Sequence, residues 1–174
     1  MSGERGEPTP TRQLTAEEQL DEYGIPITLR VVAVTMGGGL LGMVLMLPLL
    51  VGVPLALDLF RTEPIVEFSN FGLFIGIEPS IALGIALFIV GGTTVLPLVF
   101  LVLGAFLPPE EPRYVRGATY ATIFWGGFLF AFWPGGSLLT LALFVVVSLV
   151  SHWVYGVTLG YVLHRTIGIP QHDV

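Results

Sequence analysis

Charge is excluded from most of this chain, and where it is excluded decides what the chain can fold into. Residues 31–57, 79–107, 117–133 and 137–163 contain no Asp, Glu, Lys or Arg. A helix crosses the roughly 30 Å hydrocarbon core of a bilayer with about 20 apolar residues, within a usual range of about 17–25. Four such stretches predict an all-α fold, a polytopic membrane four-helix bundle, with the lipid bilayer as its first partner. Only 11% of the residues are charged, against about a quarter in soluble domains. That balance argues against a soluble enzyme, and the apolar content excludes a disordered chain.

The regions outside the spans set the organisation. Residues 1–30 form an acidic tail, residues 31–165 the four-span membrane domain, and residues 166–174 a C-terminal tail. Within the first tail, Thr15-Ala16-Glu17-Glu18 has capping-box spacing, in which Thr15 and Glu18 satisfy each other's backbone amides. A short amphipathic helix is expected over 16–23, ended by Gly24 and Pro26. No basic segment and short apolar run precede a small-residue cleavage site, so no secretory signal peptide is expected.

The charges that remain are informative by type. Asp plus Glu number 13 against 7 Arg, and there is no Lys and no Cys. The missing Cys excludes disulfides, thiolate metal sites and cysteine nucleophiles. The acidic balance excludes a basic nucleic-acid surface. Arg-only basicity beside excess carboxylate fits the proteins of an extreme halophile, whose carboxylates hold them in solution in concentrated salt. GC-rich coding would give the same bias.

Arg placement also predicts orientation. With four spans, Arg5, Arg12, Arg30, Arg113, Arg116 and Arg165 share one side, and only Arg61 lies on the other. The positive-inside rule then places both termini in the cytoplasm of a multi-pass cell-membrane protein.

Inside the spans, glycine and proline are the main punctuation. The first holds Gly37-Gly38-Gly39 and Gly42, then Pro48 and Pro54; the second starts at Pro79 and passes Gly91-Gly92 and Pro97. A stretch of this length, at about 1.5 Å per residue, reaches about 40 Å. Tilt or a proline kink is therefore expected in both. Pro134-Gly135-Gly136 predicts a tight turn that makes the last two spans an antiparallel hairpin. In the 58–78 connection, residues 68–77 are apolar but too short to span, which suits an interfacial or re-entrant segment.

His152 is the one titratable side chain of the Asp, Glu, His, Lys and Arg set within a span, and such a group is a functional candidate by default. Ser148, His152, Gly156 and Gly160 are spaced by four and share one helix ridge. Gly156-x-x-x-Gly160 is a small-residue helix-packing pair, as are Gly38 and Gly42 in the first span. His152 then has three readings: interhelical glue with Thr93 or Thr94 as its hydrogen-bond partner, a cofactor ligand, or a proton relay. Haem ligation would need a second axial ligand at matching depth. Met43 in the first span is the candidate, since His164 lies about 18 Å further along the helix. Met is also an ordinary filler of apolar gaps, and the expectation is that no cofactor and no metal is bound. No carboxylate lies in the spans to couple ions, and no nucleophile, base and orienter come together for hydrolysis.

Two blocks of residues resemble a known family. One holds Phe71-Gly72, Ile77-Glu78-Pro79, Leu83-Gly84-x-x-x-Phe88, Gly91-Gly92 and Leu96-Pro97-Leu98-Val99-Phe100. The other holds Arg116-Gly117, Phe124-Trp125, Phe128, the turn from Gly136 to Leu139, and His152-Trp153-x-Tyr155-Gly156-x-x-x-Gly160. Over residues 68–165 the chain resembles a haloarchaeal family of small four-helix membrane proteins of unassigned function, often labelled cytochrome c oxidase subunits. The resemblance implies a non-catalytic accessory subunit of a respiratory haem-copper oxidase or similar complex. Its partner would be that larger complex or a second copy of the chain. The alternative is a small membrane binding protein or carrier that holds an apolar ligand, haem or quinone, near His152.

Overall fold

The computed structural model describes residues 28–169. The helix expected over 16–23 and both extreme tails lie outside the described residues. Among the described residues every regular element is helical. Five helices carry the architecture: α1 (Leu29–Ala56), α2 (Glu63–Phe68), α3 (Ile81–Phe106), α4 (Arg116–Ala131) and α5 (Leu138–Thr166).

Local chemistry explains where they start. The Thr28 hydroxyl accepts from Val31 N at 3.3 Å, Ser80 from Leu83 N at 3.1 Å, and Ser137 from Thr140 N at 3.2 Å. Each satisfies one of the amides that a helix start leaves without a partner. Pro79 precedes its helix, because Ser80 is the residue that can cap it. Ser80 N in turn donates to Ser69 Oγ at 2.9 Å, which fastens the middle of the 58–78 connection to the start of α3. That connection is helical: α2 runs into a tighter turn over Ser69–Ile75 and stops at Gly76, whose φ of 75° suits a residue without Cβ.

Helices α1, α3 and α5 are long and apolar enough to cross a membrane. The third predicted span is shorter than the others. α4 has 16 residues, or about 24 Å of helix, and the turn at Pro134-Gly135-Gly136 follows at once, with φ of 64° and 102° at the glycines.

Both proline-bearing helices change register. Pro48–Gly52 in α1 and Gly91–Val95 in α3 are π segments, whose amides reach back five residues. Val53 N donates to Pro48 O, and Leu96 N to Gly91 O. The next residue is a proline in each case, Pro54 or Pro97, and proline has no N–H to continue the pattern. The carbonyls of Leu49 and Gly92 thus lose the donor next in line.

α5 lies at the centre and packs on both α1 and α4, while α1 packs on α3. Backbones approach where glycines meet. A Cβ on Gly117 would collide with the Gly156 carbonyl, one on Gly156 with the Gly117 carbonyl, and one on Gly160 with the Tyr114 carbonyl. Gly42 lies against Tyr155, and Gly38 against Leu159 and Val162. Met43, Met46, Phe100, Tyr120, Tyr155, Leu159 and Leu163 form the buried core. All of this close packing lies in the half of the molecule nearer Arg116.

Candidate functional site

In the opposite half Gly84 of α3 lies against the Ile65 carbonyl of α2, but α1, α4 and α5 meet there through larger side chains. There, a partly open cavity of about 280 Å³ lies between the last turns of α1, helix α2, the first turns of α3 and the facing ends of α4 and α5. Leu50, Ile65, Phe88, Phe128, Phe144 and Val147 are among the apolar residues of its wall. The aromatic residues support one another: Phe88 lies 5.8 Å from Phe132 edge-on, and Phe128 stacks on Phe132 and Phe144 at 4.6 and 5.8 Å.

Polar groups on the wall are few, and two are already engaged. Ser148 Oγ accepts from Trp125 Nε1 at 2.9 Å and donates to Val145 O at 3.3 Å. Thr140 Oγ1 pairs with Ser137 Oγ at 2.9 Å. The third is Arg61, exposed at the end of α1. Its side chain makes no hydrogen bond or ion pair among the described residues, where the one ion pair joins Arg113 to Glu111 at 3.0 Å.

His152 sits one layer behind this wall. It is buried, its ring is 4.7 Å from that of Phe128, and its Nδ1 is 2.7 Å from Ser148 O. A carbonyl only accepts, so Nδ1 carries a proton in this arrangement and donates it to Ser148 O. The bond runs within α5 instead of between helices. Thr93 Oγ1 donates to Ile89 O at 2.8 Å on its own helix, and neither Thr93 nor Thr94 bonds to His152. Thr93 and Thr94 are half-buried in the π segment of α3.

Met43 faces elsewhere. Its sulfur lies where a Cβ on Gly92 would be, in the contact between α1 and α3. Neither Met43 nor His152 lines the cavity. Among the described residues no three of His, Cys, Asp and Glu come together to hold a metal ion. Ser148, Gly156, Gly160, Gly38 and Gly42 all face neighbouring helices of the same chain.

Three residues with structural work to do stand outside the set that spacing singles out. Tyr155 donates its hydroxyl to Gly92 O at 2.6 Å and supplies the donor that Pro97 lacks. Tyr120 donates to Leu96 O at 2.6 Å, one turn along. Both rings are buried with their oxygens satisfied, as a buried Tyr requires. Arg116 is buried and spreads its guanidinium over carbonyls: Nε donates to Pro109 O at 2.8 Å, Nη1 to Ala105 O at 3.2 Å and Gly104 O at 3.4 Å, and Nη2 to Glu110 O at 3.3 Å. It thereby closes the end of α3, where carbonyls are left over and a cation is favoured. An Arg at the first position of an apolar helix is the sequence signal for Arg116; no spacing in the sequence points from Pro97 to Tyr155.

Residues 29–174 match the model of DUF6789, described as a family of unknown function. The chain belongs to that family. Comparison with the curated proteins and with the solved structures finds no match. The DUF6789 match covers α1 to α5, and so includes both the glycine-packed half and the cavity.

Proposed function

We propose that this DUF6789 member is a four-span membrane protein that holds an apolar, chain-like ligand in the cavity between α1, α2, α3, α4 and α5. The cavity carries this reading. Its wall is almost wholly hydrocarbon, it lies beside the buried His152, and it opens to the outside, as sites for apolar molecules do. Helix α4 is the fourth span in this reading. Arg116 supports it at one end, and exposed Phe130 and Trp133 at the other stand where an aromatic belt meets the bilayer surface. Both termini and Arg116 are cytoplasmic by the positive-inside rule, and the cavity lies in the outer half of the bilayer.

Filling the cavity tests this reading. Val147→Phe places an aromatic ring into the space without touching the glycine contacts. Native mass spectrometry of the detergent-solubilised protein is expected to show apolar adducts on the parent chain and few on the variant. Equal adduct loads on both would overturn the reading.

The accessory-subunit reading rests on the oxidase labels of the family it resembles. The glycine ridges that would offer a partner surface are turned into the chain itself, which weakens that mechanism. Its test is isolation from native membranes under mild detergent, with recovery of oxidase subunits as the supporting result.

A further inference from the structure

We propose that residues 53–61, the end of α1 and the turn after it, are a gate. It swings about the π segment Pro48–Gly52 and admits apolar chains from the bilayer to the cavity. The proposal rests on the cavity reading above and adds the way in.

The two π segments are held differently. In α3 the widened turn is braced from outside, since Tyr155 donates to Gly92 O and Tyr120 to Leu96 O. In α1 no side chain among the described residues donates to Leu49 O, the carbonyl that Pro54 leaves without its next donor. Pro48 removes a further bond, having no N–H for Val44 O. No water makes up these losses inside hydrocarbon, so α1 is weakest between Val44 and Pro54. Helices bend at such places.

Packing gives way at the same point. The stretch before it buries Thr35, Gly42, Met43 and Met46, whereas none of residues 47–63 is buried. Scarce buried contacts are the mark of a segment that opens locally. Beyond the π segment the chain is wound on itself, with Leu57 N on Val53 O at 3.2 Å and Leu59 N on Pro54 O at 2.8 Å. It therefore moves as one piece. Its far end is fixed, because α2 sets the Ile65 carbonyl against Gly84 and Ser69 Oγ holds Ser80 N. Val53, Pro54, Leu57 and Phe60 of this piece line the cavity, while Leu55 is exposed on it. One wall of the cavity is thus a strap, hinged at one end and anchored at the other.

Trp125 is a built-in reporter, because its indole bonds to Ser148 on the wall. In a Trp133→Phe/Trp153→Phe background it is the single tryptophan left. Phosphatidylcholine liposomes carrying this protein are mixed rapidly with bromododecane, an apolar chain that quenches indole fluorescence. A fast loss of signal as the probe enters the bilayer should precede a slower one as it fills the cavity. Gly52→Ala/Pro54→Ala is expected to slow the second phase about two- to tenfold at unchanged amplitude, the scale of one restored backbone hydrogen bond. Gly52→Ala alone has open space for its Cβ and is expected to slow it in the same direction by less. Gly91→Ala, an equally open position in the braced segment, is expected to leave the rate as it is. A rate that the Gly52 and Pro54 variants do not change, or that Gly91→Ala slows as much, would overturn the gate and leave the cavity reading standing. A second phase that is absent, or that survives Val147→Phe undiminished, would overturn the cavity reading and the gate with it.

Discussion

At Tyr155 one oxygen closes a gap that Pro97 opens. Proline cannot donate to Gly92 O, and in an apolar environment no water replaces the missing donor, so the phenol does. Tyr155→Phe keeps the ring against Gly42 and removes only that bond. It is expected to lower stability by about 1–2 kcal/mol, read from unfolding in mixed micelles. Glycines divide by the same local accounting. A methyl group at Gly156 meets the Gly117 carbonyl and the Ala121 side chain, so Gly156→Ala is expected to cost about 2 kcal/mol or more through overpacking. Gly37 has nothing within 4 Å of where its Cβ would be. Gly37→Ala is therefore expected to raise stability by about 0.5–1 kcal/mol, from reduced freedom of the unfolded chain. The GGG run in the first span thus contains a dispensable glycine and, in Gly38 and Gly39, two that face neighbouring helices.

The π segments are the telling feature among the elements. Each begins six residues before a proline, and each leaves a carbonyl without its next donor. Coupling follows between Pro97 and Tyr155. In a Pro97→Ala background an amide can reach Gly92 O, so the penalty of Tyr155→Phe should shrink by about half, which a double-mutant cycle measures. An undiminished penalty would show that the hydroxyl serves something other than the proline gap. Helix existence was legible in the sequence because charge is excluded over long stretches, and the α4–α5 hairpin because Pro134-Gly135-Gly136 admits little else. The π register was not, since inserting one residue per turn leaves the apolar run unbroken. His152 was legible as the one ionisable group in the spans, but its bond to Ser148 O was not, because i to i+4 spacing serves intrahelical and interhelical contacts alike. Arg116 reads from sequence as a marker of sidedness, and its four carbonyl partners come from loop geometry that no spacing rule encodes. The cavity was the least legible feature, for it arises where large side chains on five elements fail to meet.

Taken whole, the molecule is uneven along its length. Near Arg116, α4 and α5 touch backbone to backbone; near Arg61 a similar contact joins Gly84 of α3 to the Ile65 carbonyl of α2, while α1, α4 and α5 stand apart around hydrocarbon. The first half of α5 is therefore expected to exchange its amide hydrogens faster than the stretch from Tyr155 to Leu163, which hydrogen-exchange mass spectrometry resolves. Ligand in the cavity should slow exchange in the first half alone, because binding stabilises what it touches. Uniform protection along α5 would contradict the division. The contact between Gly117 and Gly156 bears also on how the protein is made. In the four-span reading, α4 is short, carries Thr, Tyr and Gly, and begins at a buried Arg, so it is a poor candidate to leave the translocation channel by itself. Its tight turn and its backbone contacts with α5 give it a partner within a few residues of synthesis, and the two would enter the bilayer together. Lengthening the Gly135-Gly136 turn would then strand α4 during biogenesis before it altered any contact in the finished fold.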